Sequence, residues 1–198
     1  MLLLDAAVST SARRLIIRAC LLFMAAALHA EGPRVGASRP IAIELESQIP
    51  CFFFGGYQLS AGIRYERLRL RAGVQDSGRA DFESTGLDSR NSGFTRSYDL
   101  GSFSFSADCF LTKYLFATAC LGSNRWRVQS RDTEAADELR TLDVGLGLGL
   151  QYVLFNGPFV QIAAQVNFRE RQSRVIQGRT YTVPGIDYSP ALRLGYRF

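Results

Sequence analysis

The chain has 198 residues, enough for one domain, and its 47% apolar and 21% charged residues argue against disorder. Its formal charge of +5 is small and the basic residues do not gather in one run, which excludes a nucleic-acid-binding protein.

The N-terminus separates from the rest. Arg13, Arg14 and Arg18 precede an apolar run from Ala19 to Leu28, followed by His29, Ala30 and Glu31. This is the basic, apolar and small-residue order of a secretory signal, with cleavage expected after Ala30. The run is too short to span a bilayer, and no later run reaches the length of a membrane-crossing helix. Removing residues 1–30 takes away three of 23 basic and one of 18 acidic residues, leaving 20 against 17. Of the basic residues left, only Lys113 is a lysine, and arginine suits enclosed ion pairs because it stays charged and forks onto carboxylates.

Beyond the leader the pattern is period two. Ile41, Ile43 and Leu45 alternate with Ala42, Glu44 and Glu46, a first strand with a carboxylate-bearing face. Pro50 and Cys51 interrupt it, and Phe52 to Phe54 run into Gly55-Gly56, a two-residue hairpin signal. The returning strand sets Tyr57, Leu59, Ala61, Ile63 and Tyr65 against Gln58, Ser60, Gly62, Arg64 and Glu66. A bulge near Pro50 is needed to bring the two phases into step. After a tight turn at Glu66-Arg67, Leu68, Leu70, Ala72 and Val74 oppose Arg69, Arg71 and Gly73.

Residues 76–96 lose periodicity and read as a long polar loop. A fourth strand places Phe103, Phe105, Ala107 and Cys109 against Ser102, Ser104, Ser106 and Asp108. In the fifth, Leu115, Ala117, Ala119 and Leu121 share one phase while Trp126 and Val128 take the other. A bulge at Gly122 to Asn124 would reconcile them. After a polar loop at 130–138, Leu142 to Tyr152 alternate with Asp143, Gly145, Gly147, Gly149 and Gln151, the glycines making room for inward arginines. Those glycines lack the spacing and following helix of a phosphate loop. A seventh strand opposes Val160, Ile162, Ala164, Val166 and Phe168 to Gln161, Gln165, Asn167 and Arg169, and a polar loop at 171–179 leads to the last strand.

That last strand, 188–198, puts Leu192, Leu194, Tyr196 and Phe198 on one face and Arg193 and Arg197 on the other. A purely apolar face backed by arginines suits lipid outside and a polar interior. The reading is therefore all-β: an eight-stranded antiparallel up-and-down transmembrane barrel over 31–198. Its outer loops lie near 76–96, 130–138 and 171–179, on the side opposite the short turns. A soluble lipocalin-like barrel would invert the polarity, with apolar residues inside.

The inward faces collect Glu44, Glu46, Arg64, Glu66, Arg69, Arg71, Asp108, Asp143, Arg169, Arg193 and Arg197, an ion-pair network expected to fill a barrel this narrow. The other reading of the same residues is a gated polar path. Cys51, Cys109 and Cys120 remain after the leader. Cys109 and Cys120 flank the Lys113-Tyr114 turn and form a disulfide only if directly opposed. No C-x-x-C spacing occurs, so no metal or other cofactor is expected. The sole histidine, His29, falls in the leader, which removes a histidine-dependent nucleophilic mechanism, and no enzyme is expected.

The terminal Leu192, Leu194, Tyr196 and Phe198 resemble the signal by which outer-membrane barrels engage their assembly machinery. With the leader, alternation and turn lengths, the chain resembles the small eight-stranded outer-membrane barrels of the protein X (Ail-like) and protein W types. The resemblance implies a monomer in outer-membrane lipid. Protein X types have filled polar interiors and loops that meet host or surface ligands, which implies a structural or adhesion-like role. The alternative is a narrow channel or carrier of the protein W type, whose apolar lumen the charged residues here do not match.

Overall fold

The structure, a computed structural model, describes residues 41–53, 55–76, 93–98, 101–133, 135–155 and 157–198. The expected leader at 1–30, with its cleavage point and His29, and positions 77–92 of the expected loop lie outside the described residues.

In chain order the elements are β1 (Ile41–Gln48), α1 (Ile49–Phe53), β2 (Tyr57–Tyr65), β3 (Leu68–Asp76), β4 (Phe94–Tyr98) and β5 (Ser102–Phe110). Then come β6 (Leu115–Ser130), β7 (Ala136–Val153), β8 (Pro158–Arg169), β9 (Ser173–Ile176), β10 (Arg179–Thr182) and β11 (Ile186–Arg197). β4 and β5 both pair with β6 and form one stave in two pieces. β9 and β10 form a separate hairpin. The eight staves run antiparallel in sequence order, and β11 closes the cylinder on β1, with Glu44 opposite Arg197 and Gln48 opposite Arg193. Closure gives the wall two neighbours at every stave, although β4 pairs only with β6 and the β9–β10 hairpin keeps its own edges. One end carries the tight turns after β2, β5 and β7 and is called here the turn end; the other is the loop end.

Closure fixes which way each side chain points, because alternate residues face opposite sides of the wall. Ile41, Ile43, Leu45, Leu59, Ile63, Leu70, Val74, Phe103, Phe105, Leu148, Leu150, Ile162 and Leu194 are all exposed outward, while Glu44, Glu46, Arg69, Arg71, Asp108 and Asp143 are buried inside. From Leu142 to Tyr152 the apolar outward positions of β7 span 11 residues, the length that a tilted strand needs to cross a hydrocarbon core. No helix among the described residues is long and apolar enough to cross a membrane. Aromatic side chains ring the turn end. Tyr114 stacks on Tyr152 at 5.6 Å, Tyr196 lies 4.8 Å from Phe198, and Tyr65 is exposed at the same end.

Three expectations are corrected. Residues 49–53 form a helical turn, not the end of a strand. Pro50 sits in its first turn, where a missing N–H costs nothing. Gly55, at φ +75°, ends it, with Gly56 N–H donating back to Cys51 C=O at 2.9 Å. Gly55-Gly56 therefore stops a helix and is no hairpin turn, and no bulge is needed.

β6 likewise runs without a bulge. Its register with β7 is unbroken from Leu115 opposite Leu150 to Gln129 opposite Ala136. Trp126 and Val128 point inward because the surroundings change along the strand. Up to Leu121 the apolar residues other than Phe116 face out; from Arg125 onward polar residues face out and apolar ones face in.

The expected polar loop at 171–179 is largely the β9–β10 hairpin, which folds back over the loop end. Ile176, Tyr181 and Val183 are buried against Phe94, Trp126, Val128 and Leu139. The pattern is too short for a strand reading to stand out, since each arm has four residues.

Candidate functional site

The site is the barrel interior, and its side chains lie in layers. Near the turn end, Arg69 projects from β3 with no solvent exposure and donates from Nε to Asp108 at 2.7 Å, from Nη1 to Glu44 at 2.7 Å and from Nη2 to Gln161 at 2.8 Å. Arg71, one inward position further along β3, pairs with Glu46 and, through Nη2, with Asp108 at 2.9 Å. Arg197 closes on Glu44 at 2.6 Å, and Gln151 Nε2 donates to the same carboxylate at 3.1 Å. The staves built on β1, β3, β5, β7, β8 and β11 are thus cross-linked through three arginines and their partners.

Beneath this layer stand rings. Phe110, Phe116 and Phe159 are buried, the first two with centroids 5.3 Å apart, and the Arg64 guanidinium lies 3.5 Å above the Phe110 ring. Arg64 also donates to Gln151 at 3.0 Å. The turn end of the lumen is therefore floored by aromatics and an arginine.

The middle layer is polar but mostly uncharged. Gln165 Nε2 lies 2.8 Å from Cys120 Sγ and also donates to Asn167, whose Nδ2 donates to Ser189 at 2.9 Å. Here the inward glycines of β7 matter. A Cβ at Gly145 would collide with Cys120, Gln165 and Asn167, and one at Gly149 would stand 2.7 Å from Phe116 Cε1 and 2.8 Å from the Ile162 carbonyl. The glycines make room for these side chains and not for arginines, which corrects the expectation.

Toward the loop end a second charged layer holds Arg169 between Asp143 at 3.0 Å and Asp187 at 3.1 Å, with Arg96 on Asp187 at 2.8 Å. Asn124 donates to Asp143 at 2.8 Å. Above it Trp126 lies under both cations, its ring 4.3 Å from Arg96 and 5.0 Å from Arg169, and donates its indole N–H to Thr141 at 2.9 Å. The apolar cap and the hairpin complete the closure, with Phe94 edge-on to Tyr181 at 5.5 Å. Burial pushes the Tyr181 hydroxyl up from its ordinary value.

Of the residues expected in the lumen, Glu44, Glu46, Arg69, Arg71 and Asp108 come together with Arg193 and Arg197 in one layer, Arg64 lies beneath it on the Phe110 ring, and Asp143 meets Arg169 in the other layer. Arg193 is the loosest member, its Nε 3.6 Å from Glu46. Glu66 is not in the lumen. β2 ends at Tyr65, and the two-residue turn holds Glu66 at φ +49°, which swings its side chain into solvent while its carbonyl accepts Arg64 Nε at 3.1 Å. Sequence reasoning misses Arg96 and Asp187, although Asp187 keeps the inward phase of Arg193 and Arg197 at even spacing on β11.

The expected Cys109–Cys120 disulfide is absent. Cys109 is opposite Ala117 and Cys120 opposite Ser106, so one thiol faces outward and the other inward. Both are free. Among the described residues no group of three or more His, Cys, Asp and Glu could hold a metal ion.

No family model matches the chain, and no curated protein matches it. Solved structures similar to it include the N-terminal β-barrel domain of Pseudomonas aeruginosa OprF, at 13% identity and a TM-score of 0.44, covering 80% of this chain and 96% of that one. A major outer membrane protein from Thermus thermophilus is similar at 15% identity and a TM-score of 0.46, covering 81% and 100%. Neisserial surface protein A is similar at 16% identity and a TM-score of 0.41, covering 82% and 98%. At such levels the likeness is one of architecture alone, and the strand pairings of this chain establish that architecture independently: an eight-stranded antiparallel β-barrel.

Proposed function

We propose that this chain is an integral outer-membrane barrel that acts at the cell surface as a structural or interaction protein and does not conduct solutes. The observation that carries this reading is the pairing of an apolar outer wall with a lumen occupied along its length. Phe110, Phe116 and Phe159 stand at one end, two layers of ion pairs lie between, and the Trp126 cap with its hairpin covers the other. Apolar side chains facing out over the crossing length of each strand need lipid, while enclosed charges need one another. The signal at 1–30 and the terminal Leu192, Leu194, Tyr196 and Phe198 complete the reading as export and assembly elements. With the lumen filled, the loop-end surface is the part left to meet a partner.

Planar-bilayer recording of the refolded protein tests this. A silent barrel is expected; steady, reproducible conductance would promote the channel reading. Fractionation that leaves the protein soluble in the periplasm would sink the membrane assignment itself.

A further inference from the structure

The outward face of β6 runs Leu115, Ala117, Ala119, Leu121, then Ser123, then Arg125 and Arg127. The outward face of β7 runs from Tyr152 up to Leu142 and then changes to Arg140 and Glu138. The two strands change character at one height, because Ser123 is the register partner of Leu142 and Arg125 that of Arg140. Two guanidinium groups thus stand directly opposite each other on adjacent strands, an arrangement that repels unless an anion relieves it. Arg125 is held by Glu138, from Nε at 3.0 Å and from Nη2 at 2.8 Å. Among the described residues neither Arg127 nor Arg140 has an ion-pair partner for its guanidinium. Among the described residues, Glu138, engaged by Arg125, and Glu170, which follows β8, carry carboxylates in this outward phase.

Depth gives the anion its identity. Arg140 lies one outward step beyond Leu142, and such a step is roughly 7 Å along the strand, less when the strand is tilted. The headgroup layer outside a hydrocarbon core is about 5–7 Å thick. Leu142 at the edge of the core therefore puts Arg125, Arg127 and Arg140 among the headgroups, with their aliphatic stems on the apolar wall. A planar guanidinium binds phosphate oxygens in a fork.

Resting on the membrane reading above, we propose that Arg127 and Arg140, backed by Arg125, form a rim that binds the anionic phosphate-bearing headgroups of lipids in the leaflet at the loop end. The occupant is lipid, since the rim continues the lipid-facing wall.

Lipid selectivity measured by spin-label resonance tests this. The protein is refolded into phosphatidylcholine vesicles carrying trace spin-labelled phosphatidic acid or spin-labelled phosphatidylcholine. Phosphatidic acid should be enriched at the barrel by at least about twofold. The R127Q/R140Q variant should bring the ratio to near one, while R174Q, on the hairpin away from the wall, should leave it unchanged. Equal restriction of the two labels around the unmutated barrel, or enrichment that survives R127Q/R140Q, overturns the proposal. Should that variant fail to insert, the unmutated protein decides the matter: enrichment unmoved by raised salt overturns it, and enrichment that falls with salt supports it. If neither label is restricted, the barrel has not entered the bilayer, and the membrane reading is what has failed.

Discussion

Arg69 and Asp108 are register partners on β3 and β5, and their side chains meet at 2.7 Å inside the barrel with no solvent exposure on either. Neither can be satisfied by water once the other is gone. Replacing Arg69 by Ala takes the same cation from both Asp108 and Glu44, a loss of roughly 3–5 kcal/mol by the measure of other enclosed pairs. Arg193→Ala should cost less, since Arg193 is partly exposed and stands 3.6 Å from its carboxylate. Urea titration of the refolded protein, read as the folded fraction on unheated gels, checks the order. An Arg193 variant weaker than the Arg69 variant would overturn it.

Trp126 is the only tryptophan in the chain and is fully buried between two cations and the cap. Trp126→Ala should open a cavity and cost about 3–5 kcal/mol. It should also loosen the β9–β10 hairpin, whose Ile176 and Tyr181 pack in the same cluster. Trypsin reads this directly, because Arg174 and Arg179 are exposed on that hairpin. Faster cleavage after these residues is expected in the variant. Unchanged cleavage would mean that the hairpin is held without the cap, for instance by the ion pair of Arg179 with Asp132.

The free thiols make a third expectation. Denatured without reductant, the protein should take up alkylating label at Cys109 and Cys120 alike. A peptide joining Cys109 to Cys120 on mass spectrometry would contradict the strand register.

Gly149→Ala should be destabilising by about 1–3 kcal/mol, because its Cβ has Phe116 on one side and a backbone carbonyl on the other. Gly55→Ala should be costly for a different reason. Nothing lies near its Cβ, but its φ of +75° strains any side chain. Thermal unfolding of the two variants separates crowding from strain, since a smaller partner at Phe116 (Phe116→Leu) should rescue only Gly149→Ala. Rescue of neither or of both would show that the glycines act in some other way.

The barrel is legible in the sequence because one period runs through the chain. Strands such as Leu142 to Tyr152 declare their inward and outward faces without ambiguity, and closure follows from eight of them. The lumen charges are legible for the same reason. What stays hidden lies where local signals compete. Glu66 keeps the phase of β2 in the sequence, but the chain has already turned. Gly55-Gly56 reads equally as a hairpin or as a helix stop, and Pro50 ahead of it decides the matter only once the helix is seen. Trp126 misleads because the inward positions of β6 just below it, Thr118, Cys120, Gly122 and Asn124, are small or polar. The alternation never changes; the medium around the strand does, and a pattern of apolar residues cannot say which medium it faces.

The staves differ in length in a way that has a consequence of its own. β1 stops at Gln48 after eight residues, and β2 and β3 have nine each, whereas β6 and β7 run for 16 and 18. Among the described residues, then, the cylinder is cut obliquely, low on one flank and high on the other. The low flank ends in a helical turn that leaves Phe52 and Phe53 uncovered, and the high flank carries arginines and the folded hairpin. Such a molecule has a front and a back. Rotation about the barrel axis therefore turns either a greasy threshold or a charged parapet toward whatever stands beside it.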